Sequence, residues 1–374
     1  MSKSIHIVAL DVPFPLDYGG AIDMFFRIKA LHTLGYKITL HCFEYGRGEQ
    51  MELEKYTDNV FYYSRKKRMI DWLSSTPFIV KSRADNSLLK NLTLDKSPIL
   101  FEGIHTTAFL NDSLLSERVK LVRCHNIEHD YYKALAKRAS GVKSIFYKSE
   151  AKKLAKYETV LNEATALLVI QNNDLAHFEQ INPNTYLLPA SLPEIEIKAD
   201  VELKDYVLFH GNLTVSENEE AATWLIHNVC SKMKEIDFVI AGKSPSQKLV
   251  SLCKQNNINV IPTPSAKQME KLITEARVHL LYTTQPTGLK LKLLNALISQ
   301  GIAIVNSNMI DGTDLGVHCR IANSPESYML HIKECFENQV DSTENLTRRK
   351  SIEKAYNTVQ NCKLIETLCN ELTI

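Results

Sequence analysis

Short apolar runs bounded by polar turns recur along the first half of this chain, and between them apolar residues return at helical spacing. Residues 5–10 read as a buried strand. A loop follows over 11–20, then an amphipathic helix to about residue 34, a stop at Gly35 and a second strand over 37–43. Strand, helix and parallel strand make one crossover unit. Further strands are predicted at 99–102, 120–123 and 166–171, with a long charged helix over 142–163. Residues 187–193 are Pro-rich and weakly periodic and read as a linker. The pattern then restarts. A strand over 206–210 runs into Gly211, a helix covers about 219–234, and strands follow at 238–241, 259–261 and 278–282. The tail from about residue 345 reads as a polar helix.

This alternation predicts an α/β protein of two doubly wound, Rossmann-like domains facing a cleft, with a C-terminal helix. The expected bounds are 1–188 for the first domain and 189–344 for the second. Residues 345–374 are expected to return to the first domain. Ligands in such folds sit at the carboxyl ends of the strands.

Composition narrows the picture. The chain has 374 residues and a net charge of +1, so it lacks the basic footprint of a nucleic-acid binder. None of its eight cysteines forms a Cys-x-x-Cys pair, which suits reduced thiols and a cytoplasmic protein. The first apolar run is too short for a signal peptide, and no run approaches the ~18 residues of a membrane span.

The most pointed chemistry lies at 287–305, Thr-Gly-Leu-Lys-Leu-Lys-Leu-Leu-Asn-Ala-Leu-Ile-Ser-Gln-Gly-Ile-Ala-Ile-Val. It reads as a Gly-opened loop, a helix, a Gly stop and a strand. A helix N-terminus favours anions, and Lys290 and Lys292 in the first turn strengthen that bias. Gly288, Lys292 and Asn295 share a helix face. A phosphate-bearing ligand is expected.

The residues 13–20 (Pro-Phe-Pro-Leu-Asp-Tyr-Gly-Gly), the strand into Gly211 with Asn218 and Trp224, and the 288–305 segment together resemble the GT-B fold glycosyltransferases, particularly the family 4 (group 1) nucleotide-sugar transferases. The resemblance spans roughly residues 5–340. It implies transfer of a sugar, of hexosyl type, from a nucleotide diphosphate to a glycan or lipid-linked acceptor, mostly with retention. It implies no tightly bound cofactor and no metal, and the chain has no Asp-x-Asp pair. It implies a donor site of Gly211, Asn212, Gly242, Lys243, Gly288, Lys290, Lys292 and Asn295, with residues 261–264 near the base. Gly19, Gly20, Asp17 and Tyr18 are the acceptor-side candidates.

His125-Asn126-Ile127-Glu128-His129 follows a strand and sits at its carboxyl end. His125 and Glu128 are the catalytic candidates. His125 and His129 are four residues apart, but no third metal ligand is apparent. Glu158 reads as pairing within its own lysine-rich helix.

Two departures from the family pattern stand out. Thr287 and Asn295 occupy positions where many relatives carry glutamates, and residues 211–227 hold no Arg or Lys. A sugar-nucleotide epimerase on the same fold, or a non-catalytic nucleotide-sugar binder, are the competing readings. Finally, residues 64–83 carry six bases interleaved with Trp72, Phe78 and Ile79, and 133–156 are also rich in Lys. Such stretches suit peripheral contact with an anionic membrane at its inner face.

Overall fold

The computed structural model describes residues 3–66, 68–193, 201–285, 290–338 and 342–371. The chain divides into two compact units, Met1–Pro193 with Tyr356–Ile374, and Glu194–Ala355. The division falls after Pro193, not at residue 188. Leu188, Ala190 and Leu192 are buried, so the Pro-rich stretch belongs to the first unit rather than hanging free as a linker.

The first unit holds β1 Ser4–Ala9, β2 Lys37–Glu44, β3 Asn59–Ser64, β4 Ile99–Glu102, β5 Lys120–Cys124, β6 Ala166–Val169 and β7 Thr185–Leu187. They form one parallel sheet in the order β3-β2-β1-β4-β5-β6-β7. The second unit holds β8 Lys204–Asn212, β9 Asp237–Lys243, β10 Asn259–Pro262, β11 Ala276–Leu281, β12 Ile302–Val305 and β13 Arg320–Ile321. These are parallel in the order β10-β9-β8-β11-β12-β13. In each sheet the order reverses beside the first strand, between β1 and β4 and between β8 and β11, where doubly wound folds place their ligands.

The strands are continuous apolar runs because helices cover both faces. Every residue of β4 and β5 is buried. The helix Gly19–Thr33 buries Met24, Phe25, Ile28 and Leu31, and the C-terminal helix Thr358–Glu371 adds Cys362, Ile365, Leu368 and Cys369 to the same core. The preceding helix, Ser342–Ala355, lies with the second unit, so only the last stretch of the tail rejoins the first.

Sequence periodicity misses β3, β7 and β13. β3 is mostly half-buried and β7 and β13 are short, so none reads as a buried apolar run. The long charged helix covers Gly141–Tyr157 and tightens into a 3-10 turn at Glu158–Glu163. The helix after β8 is Ser216–Asn228, three residues earlier at its start than predicted. Gly301 serves packing: a Cβ there would lie 2.3 Å from the Ala276 carbonyl oxygen. No described helix is long and apolar enough to cross a membrane.

Candidate functional site

In the second unit, β8 and β11 end side by side at the switch point, and the helices Ser216–Asn228 and Leu291–Leu297 begin just beyond them. Lys290 is the residue before the second of these helices, and Lys292 is its second residue. Lys292 Nζ donates to Asn218 Oδ1 at 2.9 Å and lies 5.4 Å from the centroid of the Phe209 ring. The partner is an amide oxygen, not a carboxylate. Burial pushes the ammonium down to about 8, with Glu217 opposing and Lys290 adding to the shift. Lys290 Nζ lies 3.9 Å from Glu217 Oε1, which also accepts a short hydrogen bond from the Thr283 hydroxyl. Two cations thus meet one carboxylate. Two ammonium groups brought together at a half-buried switch point favour an anionic ligand.

The glycines of this corner are fixed by backbone approach. A Cβ on Gly242 would lie 2.0 Å from the Gly211 carbonyl oxygen and 2.9 Å from Leu213 Cγ. On Gly211 it would meet the Asn218 side chain at 3.4 Å. Asn212 Oδ1 accepts from the Thr214 amide at 3.1 Å and hydroxyl at 2.6 Å, shaping the loop after β8. Lys243 is exposed. Beside it, Ser244 and Thr263 have φ of 46° and 48°. The Thr263 amide donates to the Gly242 carbonyl at 2.7 Å, and the Ser244 amide donates to Thr263 Oγ1 at 3.0 Å. A β-branched residue in this conformation is strained, and such strain gathers at ligand sites. Asn295 is exposed. Gly288 and Thr287 lie outside the described residues.

In the first unit, the carboxyl ends of β4 and β5 carry a buried ionic network. Arg27 donates through Nε to Glu102 Oε1 at 2.8 Å and through Nη2 to Oε2 at 3.0 Å. It also reaches Asp23, one turn earlier on its helix, through Nη1 at 3.1 Å and Nη2 at 2.7 Å. Arg123, the penultimate residue of β5, lies 3.5 Å from Asp23 and donates to the Leu188 and Pro189 carbonyls. His125 Nε2 completes the network, 3.0 Å from Glu102 Oε2. Burial alone would raise the two carboxyls. Arg27 and Arg123 hold Asp23 below the usual range, and Arg27 with His125 does the same for Glu102.

Glu128 opens the helix Glu128–Arg138 and is buried, which pushes its carboxyl up to about 7; an Asn126 amide 3.5 Å away opposes the shift and Glu158 adds to it. Asp17 pairs with Arg47 at 2.8 Å, and the Tyr18 hydroxyl donates to Asp11 Oδ2 at 3.2 Å. Gly19 and Gly20 form the first turn of their helix and neither has a positive φ, so left-handed freedom is not what they supply. At Gly20 a Cβ would lie 2.7 Å from the Tyr18 ring.

The structure therefore brings together Gly211, Lys290 and Lys292 with Asn218 in one unit, and places His125 and Glu128 after β5 in the other. Glu158 does not pair along its own helix; it meets His129 and His177 instead. Arg27, Asp23, Glu102, Arg123 and Glu217 were not singled out from sequence. Glu102 and Arg123 carried a usable signal, since each is a charge at or next to the carboxyl end of an apolar strand. Arg83, read as part of a basic surface stretch, is buried; it donates to the Leu10 carbonyl at 2.8 Å and its charge acts on Asp11 and Glu128. Ile79 also turns inward.

Residues 204–338 match the family model of the group 1 glycosyl transferases. A 44.6 kDa protein from the cps region of Klebsiella pneumoniae is 28% identical over 357 residues, covering 89% of this chain and 90% of that protein. Among solved structures, Anabaena HepE in complex with UDP and glucose superposes with a TM-score of 0.65 at 10% identity, covering 98% of this chain and 100% of the other. An Escherichia coli protein of trehalose-6-phosphate chemistry bound with UDP-2-fluoro glucose gives 0.64 at 13%, covering 98% and 99%. The seven- and six-stranded parallel sheets are those of the GT-B fold, and within it residues 204–338, nearly all of the second unit's described length, are similar to the group 1 glycosyl transferases.

Proposed function

We propose that this protein transfers a sugar from a nucleoside diphosphate donor, bound by its second unit, to a glycan or lipid-linked acceptor bound by its first. The observation that carries the reading is Lys292: a half-buried ammonium at the switch point, held by an amide oxygen and an aromatic face rather than by a direct carboxylate pair. With Lys290 and the backbone amides of the loop after β8, it would neutralise the diphosphate as it leaves. Residues 261–264, with Thr263 strained, would hold the base. UDP is the first nucleotide to test, because the two solved structures above hold UDP or a UDP-sugar. Transfer with retention and without a metal ion at the diphosphate are parts of the same proposal. His125, fixed by Glu102, would contact the transferred sugar, and Glu128, its carboxyl pushed up to about 7 by burial, could exchange a proton there near neutrality. The relative from a cps region supports an acceptor in polysaccharide synthesis.

The acceptor's lipid anchor would meet a surface patch of this unit. Ile70 (70% exposed), Leu73 (87%), Val142 (68%) and Ile145 (64%) are open apolar side chains. Their two segments are joined where the Trp72 ring meets Phe146, centroids 5.3 Å apart, and where Lys153 donates to the Trp72 carbonyl at 2.6 Å. Exposed Arg68, Lys137, Arg138, Lys143 and Lys148 belong to the same segments and their neighbours. Apolar groups among bases suit an anionic bilayer surface.

The test is a thermal-shift and turnover screen of nucleoside diphosphates and their sugars with the intact chain. The expected result is a raised melting temperature with one diphosphate and slow sugar release with its sugar. No shift with any of them would end the donor assignment. Binding without turnover would favour the non-catalytic reading, which the neutral, exposed Asn295 at a position of an expected glutamate already favours.

A further inference from the structure

A second cluster in the first unit is separate from the Arg27 network. His129 is the second residue of the helix Glu128–Arg138, Glu158 begins the 3-10 turn Glu158–Glu163, and His177 lies on the helix Asn172–Glu179. Three distant stretches of chain thus converge. Glu158 Oε2 is 3.2 Å from His129 Nδ1 and 2.8 Å from His177 Nε2, and the three ligand atoms all lie within 4.8 Å of one another.

The contrast with Asp23, Glu102 and His125 is instructive, because those three are equally close. There, two guanidiniums already fill the space between the carboxylates. At Glu158, the groups that reach the carboxylate among the described residues are the two imidazoles. Glu158 is buried, and His129 Nδ1 is a buried atom that makes no hydrogen bond. Among the described residues no Lys or Arg side chain is paired with this buried carboxylate, which leaves room for a cation between it and the two imidazoles.

We propose that His129, Glu158 and His177 form a binding site for a divalent transition-metal ion, zinc fitting the donor set best, with a fourth position open to water. Two imidazoles and one carboxylate are the protein ligands of one class of zinc site. Around an ion with bonds of about 2.0–2.1 Å, tetrahedral ligand atoms sit roughly 3.3 Å apart, so the observed separations need only small side-chain adjustments. The second shell is present too. Asp130 Oδ1 lies 3.4 Å from His129 Nε2, the nitrogen opposite the ligand atom, and Lys133 holds the same oxygen at 2.7 Å. A carboxylate there fixes the tautomer that leaves Nδ1 free to ligate. Asp174, on the same helix as His177 and close enough for its charge to interact with His177 and Glu158, adds a carboxylate beside the site. His177 is partly exposed, which gives an ion a way in.

The experiment is calorimetric titration of the full chain, stripped with chelator, with zinc chloride and separately with cobalt chloride, whose visible spectrum reports coordination. One equivalent should bind with a micromolar or tighter dissociation constant and raise the melting temperature. His177→Ala, at a partly exposed position, should weaken binding at least a hundredfold while the chain keeps a cooperative melting transition, as should Glu158→Gln. Asp130→Asn should weaken it about tenfold. Wild-type affinity in His177→Ala would assign the ion to other groups, such as the thiols, and overturn the site. Absence of saturable binding in the wild type would leave a hydrogen-bonded cluster and overturn it equally.

Discussion

Arg27 grips Glu102 with two nearly parallel hydrogen bonds, Nε to Oε1 at 2.8 Å and Nη2 to Oε2 at 3.0 Å, while His125 sits on the same Oε2 at 3.0 Å. A helix residue and a strand-end residue thereby set the position of the histidine that follows the next strand. The fork geometry of the guanidinium is what allows one side chain to bind Glu102 and Asp23 together.

Arg27→Met should therefore cost about 3–5 kcal/mol in urea unfolding, because it leaves Asp23 and Glu102 buried with only Arg123 and His125 as cationic or hydrogen-bonding partners. Arg27→Lys keeps the charge and loses the fork, and should fall between. Equal stability of Arg27→Lys and wild type would show that the bidentate geometry contributes nothing.

Acid should expose the same network. Asp23 and Glu102 are held below their ordinary range, so the folded state binds their protons less readily than the unfolded chain. Their contribution is fully present above the unfolded values of about 4 and is lost as pH falls through the depressed folded ones. Unfolding free energy measured from pH 6 down to pH 3 should decline, and the decline should be shallower in an Asp23→Asn, Glu102→Gln double variant. Parallel profiles would remove the network from the explanation.

How legible this was in the sequence follows from which force positions each residue. Continuous apolar runs such as 99–102 and 166–169 declared themselves as buried strands, whereas Gly301, read as a helix stop, proves to serve a close approach to the Ala276 carbonyl that no sequence pattern shows. β3 did not, because an edge strand with half-buried positions lacks both clear alternation and a solid apolar run. Lys290 and Lys292 were readable from their place before and within a helix start. Their carboxylate neighbour Glu217 was not, since it comes from more than seventy residues earlier and only the parallel β8–β11 pairing brings the two together. The His129–His177 pairing was hidden for the same reason, with the third ligand on another helix.

Gly242→Ala tests whether the loop corner of the second unit is set by backbone approach. Its new methyl would sit 2.0 Å from the Gly211 carbonyl oxygen, so β8 and β9 must part. A loss of about 2–5 kcal/mol is expected, with weaker UDP binding in whatever fraction folds. The control Gly46→Ala has no atom within 4 Å but a φ of 134°, and should cost less through strain alone. A stable Gly242→Ala protein would show that the strands part at little cost.

For the apolar patch, Leu73→Glu and Ile145→Glu should abolish co-sedimentation with vesicles containing anionic lipid while leaving the melting temperature unchanged, since both side chains are open to solvent. Binding should also fall as salt rises, because the bases act through screened attraction. Wild-type binding that survives both substitutions would place the contact elsewhere or nowhere.

Lys292 gives the donor site a pH signature. Its ammonium is pushed down to about 8 by burial, so in the free protein it loses its charge as pH rises through that value. A diphosphate binds the charged form and raises its pKa again, which means binding above pH 8 must take up a proton. Affinity for UDP, measured by calorimetry, should be nearly constant from pH 6.5 to 7.5 and then fall, approaching tenfold per pH unit beyond 8. Lys292→Ala should bind about ten- to a hundredfold more weakly at pH 7 and lose that alkaline slope. Lys292→Arg, charged throughout, should also lose the slope while keeping more of the affinity. An identical alkaline slope in Lys292→Ala would assign the titration to another group and remove Lys292 from the diphosphate.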